Sequence, residues 1–537
     1  MNEKFANWQQ LFKIALTRDW KKAFIWWLGI GLFSSVFVPA FKEIAQGQGL
    51  LAMFETMRNP AMIAMVGSTP IEQGADYTVG AMYAQEMLLF CGLFSLVVSL
   101  LHVVSHTRKE EELGLSELIR SFYVGRQANS LALMLEVVLI NLILGAVITL
   151  VMVSFAVETV TVSGSVLFGL SIAGAGIFGG SLALVWAQIM PTAAGATGAS
   201  LATMAVLYVL RAGTDLANQL YSLVNPIGAM YLTYPFTTNR WVPLFVLVVW
   251  SLVLFILAIF LEEHRDIGTG YLVEREGRRS ASKLLASVPG LLWHLNKGVI
   301  FSWLLAFVFL GVAYGSIFGD MQTFMNSNPL LQQMFTQAGH SVEASFAGTI
   351  LSVLIGLVSL VPIVIINKLF AEETRGRLNQ LSATSVSRSQ LYWTTILLAV
   401  VASVVGIGLV TISLGGTAMM EMQQKNVLTL GDFVATGINF LPVVLFYASL
   451  TGLLLGFAPK WGKVVYVYVA YSVFLNYFNG LLDLPQFLVK LSAVSWLADL
   501  PIETFEFLPF IIICGLSVLL MVVGAYGYQH RDLMENG

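Results

Sequence analysis

Charge is what this sequence has least of. Of its 537 residues only 11% are Asp, Glu, Lys or Arg, against about 25% in ordinary soluble domains. A water-soluble chain of this length needs far more polar surface to cover itself. That shortage excludes a soluble enzyme, a nucleic-acid binder and a disordered protein. Charge of one sign is lacking too: the net value is −3, so no global field calls for a polyanionic or polycationic partner. Cysteine is nearly absent, and Cys91 and Cys514 both lie inside apolar runs, which rules out a disulfide framework. The six histidines (His102, His106, His264, His294, His340 and His530) are scattered, and no metal site is expected from them. No G-x-x-x-x-G-K-[ST] phosphate loop occurs. The nearest approach, Gly462-Lys463, has Phe457 in place of the first glycine and Val464 after the lysine.

What the chain has instead is hydrophobicity, 57% of its residues with mean hydropathy +0.79. A bilayer core requires roughly 20 apolar residues per helix. Twelve runs qualify, with cores at 23–41, 81–105, 130–156, 164–189, 195–213 and 242–261, then 298–318, 345–367, 391–414, 432–457, 464–482 and 508–528. They are too long and continuous for the alternating strands of a membrane barrel. Lys and Arg collect in cytoplasmic loops. With the N-terminus inside and twelve crossings, 22 of the 28 basic residues fall on the cytoplasmic face, leaving Lys42, Arg58, Arg211, Arg240, Lys425 and Lys490 outside. Both termini are therefore expected in the cytoplasm.

The halves repeat. After the second run the sequence reads RKEEELGLSELIRSFYVGR (108–126), and after the eighth LFAEETRGRLNQLSATSVSR (369–388). Glu110, Glu111, Gly114, Val124 and Arg126 align without a gap on Glu372, Glu373, Gly376, Val386 and Arg388. Pro243 matches Pro509, and Arg265-Asp266 matches Arg531-Asp532. Because each half holds an even number of spans, the two are parallel repeats. The expected organisation is a first six-helix repeat at 1–266, a cytoplasmic linker at 267–282 and a second repeat at 283–537. Phe5, Trp8, Leu11, Phe12 and Ala15 recur at helical spacing, with Lys4, Lys13 and Arg18 available to a polar face. This pattern predicts an amphipathic helix in the inner interface before the first span. The stretch at 283–298 is a looser counterpart that Pro289 must break or start. In each inner loop the paired glutamates are expected at the start of a short projecting helix, where the dipole favours them.

The duplicated Glu-Glu-x-x-x-Gly loops, with EETRGRLNQLSATSVSR as the clearer copy, resemble the permeases of type-two ABC export systems. The likeness covers essentially the whole chain, counted twice. The fused twelve-span form is most similar to a family of polyketide antibiotic exporters. The resemblance implies an all-α polytopic membrane protein of two six-helix repeats, each with an N-terminal interfacial helix and a cytoplasmic coupling helix. It further implies that Glu110, Glu111, Gly114, Arg126, Glu372, Glu373, Gly376 and Arg388 couple the chain to two separate ABC ATPase subunits on the cytoplasmic face of a bacterial plasma membrane. ATP and Mg belong to those subunits, and this chain is expected to carry no cofactor, no ATPase and no covalent catalysis. The first copy departs from the family's loop, since SFYVGR stands where a small-residue turn is usual.

Ionisable and amide groups at membrane depth are functional candidates because they are costly there. Glu86, His102, Glu136, Asn141, Asn439 and Asn476 are the candidates for the substrate pathway. Glu136 has the alternative of pairing with His102, and the asparagines of bridging helices. Arg211 and Asp215, one turn apart, read as an ion pair at the outer end. The outer segments 42–80, 214–241 and 483–507 suggest short interfacial or re-entrant helices. The expected cargo is an amphiphilic drug-like compound. The rival reading, an ion-coupled secondary transporter, calls for membrane acids or broken helices in both halves.

Overall fold

A computed structural model describes residues 3–46, 49–58, 60–266, 268–272, 280, 282–319, 341–382, 384–422, 427–482 and 486–532. The chain is all-helical, 81% helix and without strands among those residues. It divides into two compact units, Met1–Glu276 and Gly277–Gly537. Most of the expected linker, 267–282, lies outside the described residues.

In the first unit the long helices are α1 (Trp8–Phe33), α2 (Val79–His106), α3 (Ala128–Ser154), α4 (Val162–Ile189), α5 (Ala193–Ala217) and α6 (Val242–His264). In the second they are α7 (Val288–Ser316), α8 (Val342–Val358), α9 (Leu360–Thr374), α10 (Arg388–Glu421), α11 (Leu430–Asn439), α12 (Leu441–Phe457), α13 (Val464–Leu482) and α14 (Phe507–His530). Eleven helical segments among the described residues are long and apolar enough to cross a membrane. The 19-residue α13 stands where the sequence places a further span.

Helix α4 is the core of the first unit. Its glycines and alanines let neighbours approach at backbone distance: a Cβ on Gly169 would lie 2.4 Å from the Gly145 carbonyl oxygen of α3. Phe168, Ile172 and Phe178 fill the remaining space against Leu96 and Leu100 of α2. By contrast α6 and α14 present rows of exposed Phe, Val, Ile and Leu, such as Phe245, Leu252 and Ile256, or Leu508, Ile512 and Leu519. Surfaces this apolar are stable only with lipid as their solvent, so the chain is a multi-pass membrane protein.

Two expectations need correction. The amphipathic N-terminal helix is not a separate element, because α1 runs unbroken from Trp8 through Phe33. No glycine or proline occurs between Trp8 and Leu28, so nothing in that stretch interrupts the hydrogen-bond ladder. Conversely, the runs at 345–367 and 432–457 are each split, at Ser359 and at Phe440. Pro362 and Pro442 follow within three residues, and each removes a ladder N–H. Pro289 is the second residue of α7, two residues after its N-cap Ser287.

The outer segments do form short helices: Val38–Ile44, Gly49–Met57 and Pro60–Val66 before α2, Gln219–Val224 and Pro226–Tyr231 before α6, and Gln486–Lys490 before α14. Arg211 and Asp215 pair at 3.1 Å with both side chains fully buried. Asp215 also accepts from Tyr231 at 2.6 Å, while Arg211 donates to the Met65 carbonyl at 3.3 Å. One ion pair thus ties the segments flanking α2 and α6 together.

Candidate functional site

The two Glu-Glu-x-x-x-Gly loops have the same construction. In the first unit α2 is followed by the helices Arg108–Glu112 and Leu115–Arg120, which meet at Gly114 with φ +73°. In the second, α9 ends at Thr374, Gly376 has φ +69°, and Arg377–Ser382 follows. A left-handed residue costs an L side chain roughly 1–2 kcal/mol, so glycine marks the bend in both copies.

The paired glutamates begin a short helix in the first copy only. Glu110 and Glu111 lie in the first turn of Arg108–Glu112, where the dipole favours them, whereas Glu372 and Glu373 occupy the last turn of α9. At a helix C-terminus the dipole disfavours a carboxylate; here arginines offset it. Glu111 Oε2 accepts from Nη1 and Nη2 of Arg265, both at 3.1 Å, and from Arg108 at 2.7 Å. The Gly268 amide donates to Glu111 Oε1 at 2.8 Å. Glu373 receives Arg531 in a two-point fork at 2.5 and 2.6 Å. Arg126 donates to the Arg265 carbonyl, and Arg388 donates to the Arg531 carbonyl at 2.6 Å. In each unit the loop glutamate is therefore clamped to the arginine just past the unit's last long helix, and the loop's terminal arginine holds that arginine's backbone.

The neighbouring acids are also engaged. Glu110 binds His106 Nδ1 at 2.8 Å and Arg18 at 3.0 Å. Glu112 accepts from the Ala193 amide at 2.6 Å. Glu372 pairs with Arg377 at 3.0 Å and with Arg375 at 3.6 Å. In the first copy the segment from Leu113 to Tyr123 points apolar side chains outward instead: Leu113, Leu115, Leu118, Phe122 and Tyr123 are exposed, Tyr123 by 77%. Asn7, the residue before α1, braces the far end of that segment, its Nδ2 donating to the Tyr123 carbonyl at 2.5 Å.

The polar groups at membrane depth separate into two kinds. Asn141 is satisfied: Ser95 donates to its Oδ1 at 2.9 Å, and its Nδ2 donates to Ser99 at 3.0 Å and Val137 at 2.9 Å. Asn439 donates to the Ala498 carbonyl at 2.9 Å and Asn476 to Ser352 at 2.8 Å. These three bridge elements. Glu86, near the start of α2, has one carboxylate oxygen buried without a hydrogen-bond partner. Glu136 is wholly buried, 3.5 Å from His102 Nε2. His106 and Asp19 stand beside them, with His106 Nε2 3.3 Å from Asp19 Oδ2. The convergence of Asp19, His102 and His106 corrects the reading of scattered histidines. The four-residue spacing of His102 and His106 carried that signal; Asp19 gave none, because it comes from another helix.

In the second unit a cavity of about 270 Å³ opens against the duplicated loop. Its lining is mostly apolar, from Leu292 and Leu295 of α7, Leu369 of α9 and Leu378 and Leu381 of the short helix, with Glu372 at its polar edge.

These features define an all-helical, multi-pass membrane protein with the same clamped, glycine-bent loop in each unit. Comparison with known proteins fits that class. Residues 285–529 match the family described as the C-terminal domain of multidrug efflux system permease Rv1217c. Over 538 aligned positions, 98% of this chain and 96% of the relative, the sequence is 26% identical to multidrug efflux system permease protein Rv1217c of Mycobacterium tuberculosis.

Proposed function

We propose that the chain is the membrane permease of a multidrug efflux system of the ATP-binding-cassette type, exporting amphiphilic compounds with energy from two separate nucleotide-binding subunits. The observation that carries this reading is the duplicated clamp, Glu111–Arg265 and Glu373–Arg531. A rigid link from each loop to the end of the last long helix suits a part that must transmit displacement. The exposed apolar row on the first loop suits a protein partner, because interface cores are apolar and poor in charge. ATP and Mg reside in the partners, and this chain supplies no catalytic residue.

In this reading the buried glutamates do not touch the ATPase. Leu115, Leu118, Phe122 and Tyr123 make the contact in the first loop, and Glu111 and Glu373 stiffen the lever behind it. The cavity bounded by Leu378 and Leu381 changes shape when its short helix moves, which links the stroke to drug handling. An apolar wall with a few polar groups fits an amphiphile. Ion coupling is less well supported: the breaks at Ser359 and Phe440 both fall in the second unit, whereas paired half-helices call for breaks in both.

The test is co-purification with the nucleotide-binding subunit. Leu118→Asp combined with Tyr123→Ala should leave a monodisperse, folded chain that no longer retains the ATPase. Retention equal to that of the unmutated chain refutes docking through this row.

A further inference from the structure

The cluster of Asp19, His102, His106 and Glu136 in the first unit serves neither the clamp nor the loop surface. Asp19 comes from α1, the two histidines from adjacent turns of α2, and Glu136 from α3. All four are buried, with Glu136 at 0% and Asp19 at 1% exposure. One ligand atom each from Asp19, His102 and His106 lies within 4.8 Å of the other two. Among the described residues this is the one such group of three or more.

Its hydrogen bonding is incomplete in a particular way. His102 Nε2, His106 Nε2 and both carboxylate oxygens of Glu136 are buried without hydrogen-bond partners. Such groups are costly to bury unless paired, hydrogen-bonded or bound to a metal, and here they have only ion-pair contacts, His102 to Glu136 at 3.5 Å and His106 to Asp19 at 3.3 Å. Meanwhile His106 Nδ1 is engaged by Glu110 Oε1 at 2.8 Å. A carboxylate on Nδ1 fixes the tautomer that leaves Nε2 free as a ligand, the usual outer-shell arrangement around a metal-bound histidine. On the solvent side, Asp19 accepts from Arg18 Nε and Lys22 Nζ, both at 2.7 Å. Arg18 also reaches Glu110 at 3.0 Å. Both cationic side chains are substantially exposed.

We propose that Asp19, His102 and His106 form a binding site for a divalent transition-metal ion of the zinc type, with Glu136 as the nearest further ligand and Glu110 as the positioning residue for His106. Two imidazole nitrogens with carboxylate oxygen is an established zinc donor set. Bonds of about 2.0–2.2 Å in tetrahedral geometry place ligand atoms about 3.3 Å apart. The His106–Asp19 distance of 3.3 Å already has that spacing, and His102 offers a ligand atom within 4.8 Å of both. The bound ion ties α1 to α2 at the end from which the first loop projects. The second unit has no equivalent, since the aligned positions are Val364, Lys368 and Leu398.

The experiment uses the full-length chain in detergent, stripped with chelator, dialysed and titrated with Zn²⁺ alone; metal content is read by elemental analysis. One zinc per chain is expected. His102→Ala with His106→Ala should abolish it, and Glu110→Gln should weaken it by about 10- to 100-fold, as loss of an outer-shell partner does. Because the histidine variants can misfold, Co²⁺ is also added to the unmutated chain, where the strong visible absorption of tetrahedral cobalt is expected. Absence of both zinc retention and the cobalt signal in the unmutated chain overturns the proposal. Zinc retention unchanged in a folded double-histidine variant does so as well.

Discussion

Each clamp joins residues more than 150 positions apart, Glu111 to Arg265 and Glu373 to Arg531. Removing one partner of a buried ion pair leaves the other uncompensated, at a cost of about 3–5 kcal/mol. Glu373→Gln should therefore lower the thermal unfolding midpoint of the detergent-solubilised chain markedly. Exchanging the charges, Glu373→Arg with Arg531→Glu, should recover part of the loss. An unchanged midpoint for the single variant shows that the pair contributes nothing to stability. All of these residues are readable in the sequence, because the loop glutamates and the terminal arginines recur as matched anchors in both halves. Their mutual contact is not, since no local spacing records which distant charges meet. The same limit applies to Asp19, whose partners belong to α2, and to Asn141, whose side chain is satisfied by Ser95 and Ser99.

Helices follow closely from the apolar runs, because a continuous apolar stretch in lipid must satisfy its backbone internally. The sequence is less informative about where a run is joined or broken. Helix α1 is continuous although its first turns are polar and amphipathic. The split at Ser359 lies in the middle of an apolar run, and only Pro362 hints at it. The glycine bends were better signposted, by a glycine three residues after the second glutamate in both copies. Gly376→Ala imposes a left-handed alanine at about 1–2 kcal/mol. It should reduce drug-stimulated ATP hydrolysis in the reconstituted complex while leaving assembly intact; full stimulation contradicts a role for the bend. Gly169→Ala forces a methyl group against the Gly145 carbonyl, and overpacking of this kind costs about 1–3 kcal/mol. A lowered unfolding midpoint checks it, and a neutral effect shows that α3 and α4 can separate without penalty.

For the whole molecule, scarce charge and abundant apolar surface determine the class. From the distribution of Lys and Arg we propose that the two loops face the cytoplasm, and that orientation is open to direct test. In a chain freed of Cys91 and Cys514, a cysteine at Glu117 should react with an impermeant maleimide only after the cells are permeabilised. One at Glu72 should react in intact cells; the reverse pattern inverts the topology. The most direct measurement of ATP-coupled export uses proteoliposomes holding the chain with its nucleotide-binding subunit and a fluorescent amphiphilic drug. Accumulation is followed with Mg-ATP, with a non-hydrolysable analogue, and with an ionophore that collapses ion gradients. Uptake into inside-out vesicles that requires hydrolysable ATP and persists with the ionophore is the predicted result. Uptake that ignores ATP and stops when the gradients collapse contradicts it.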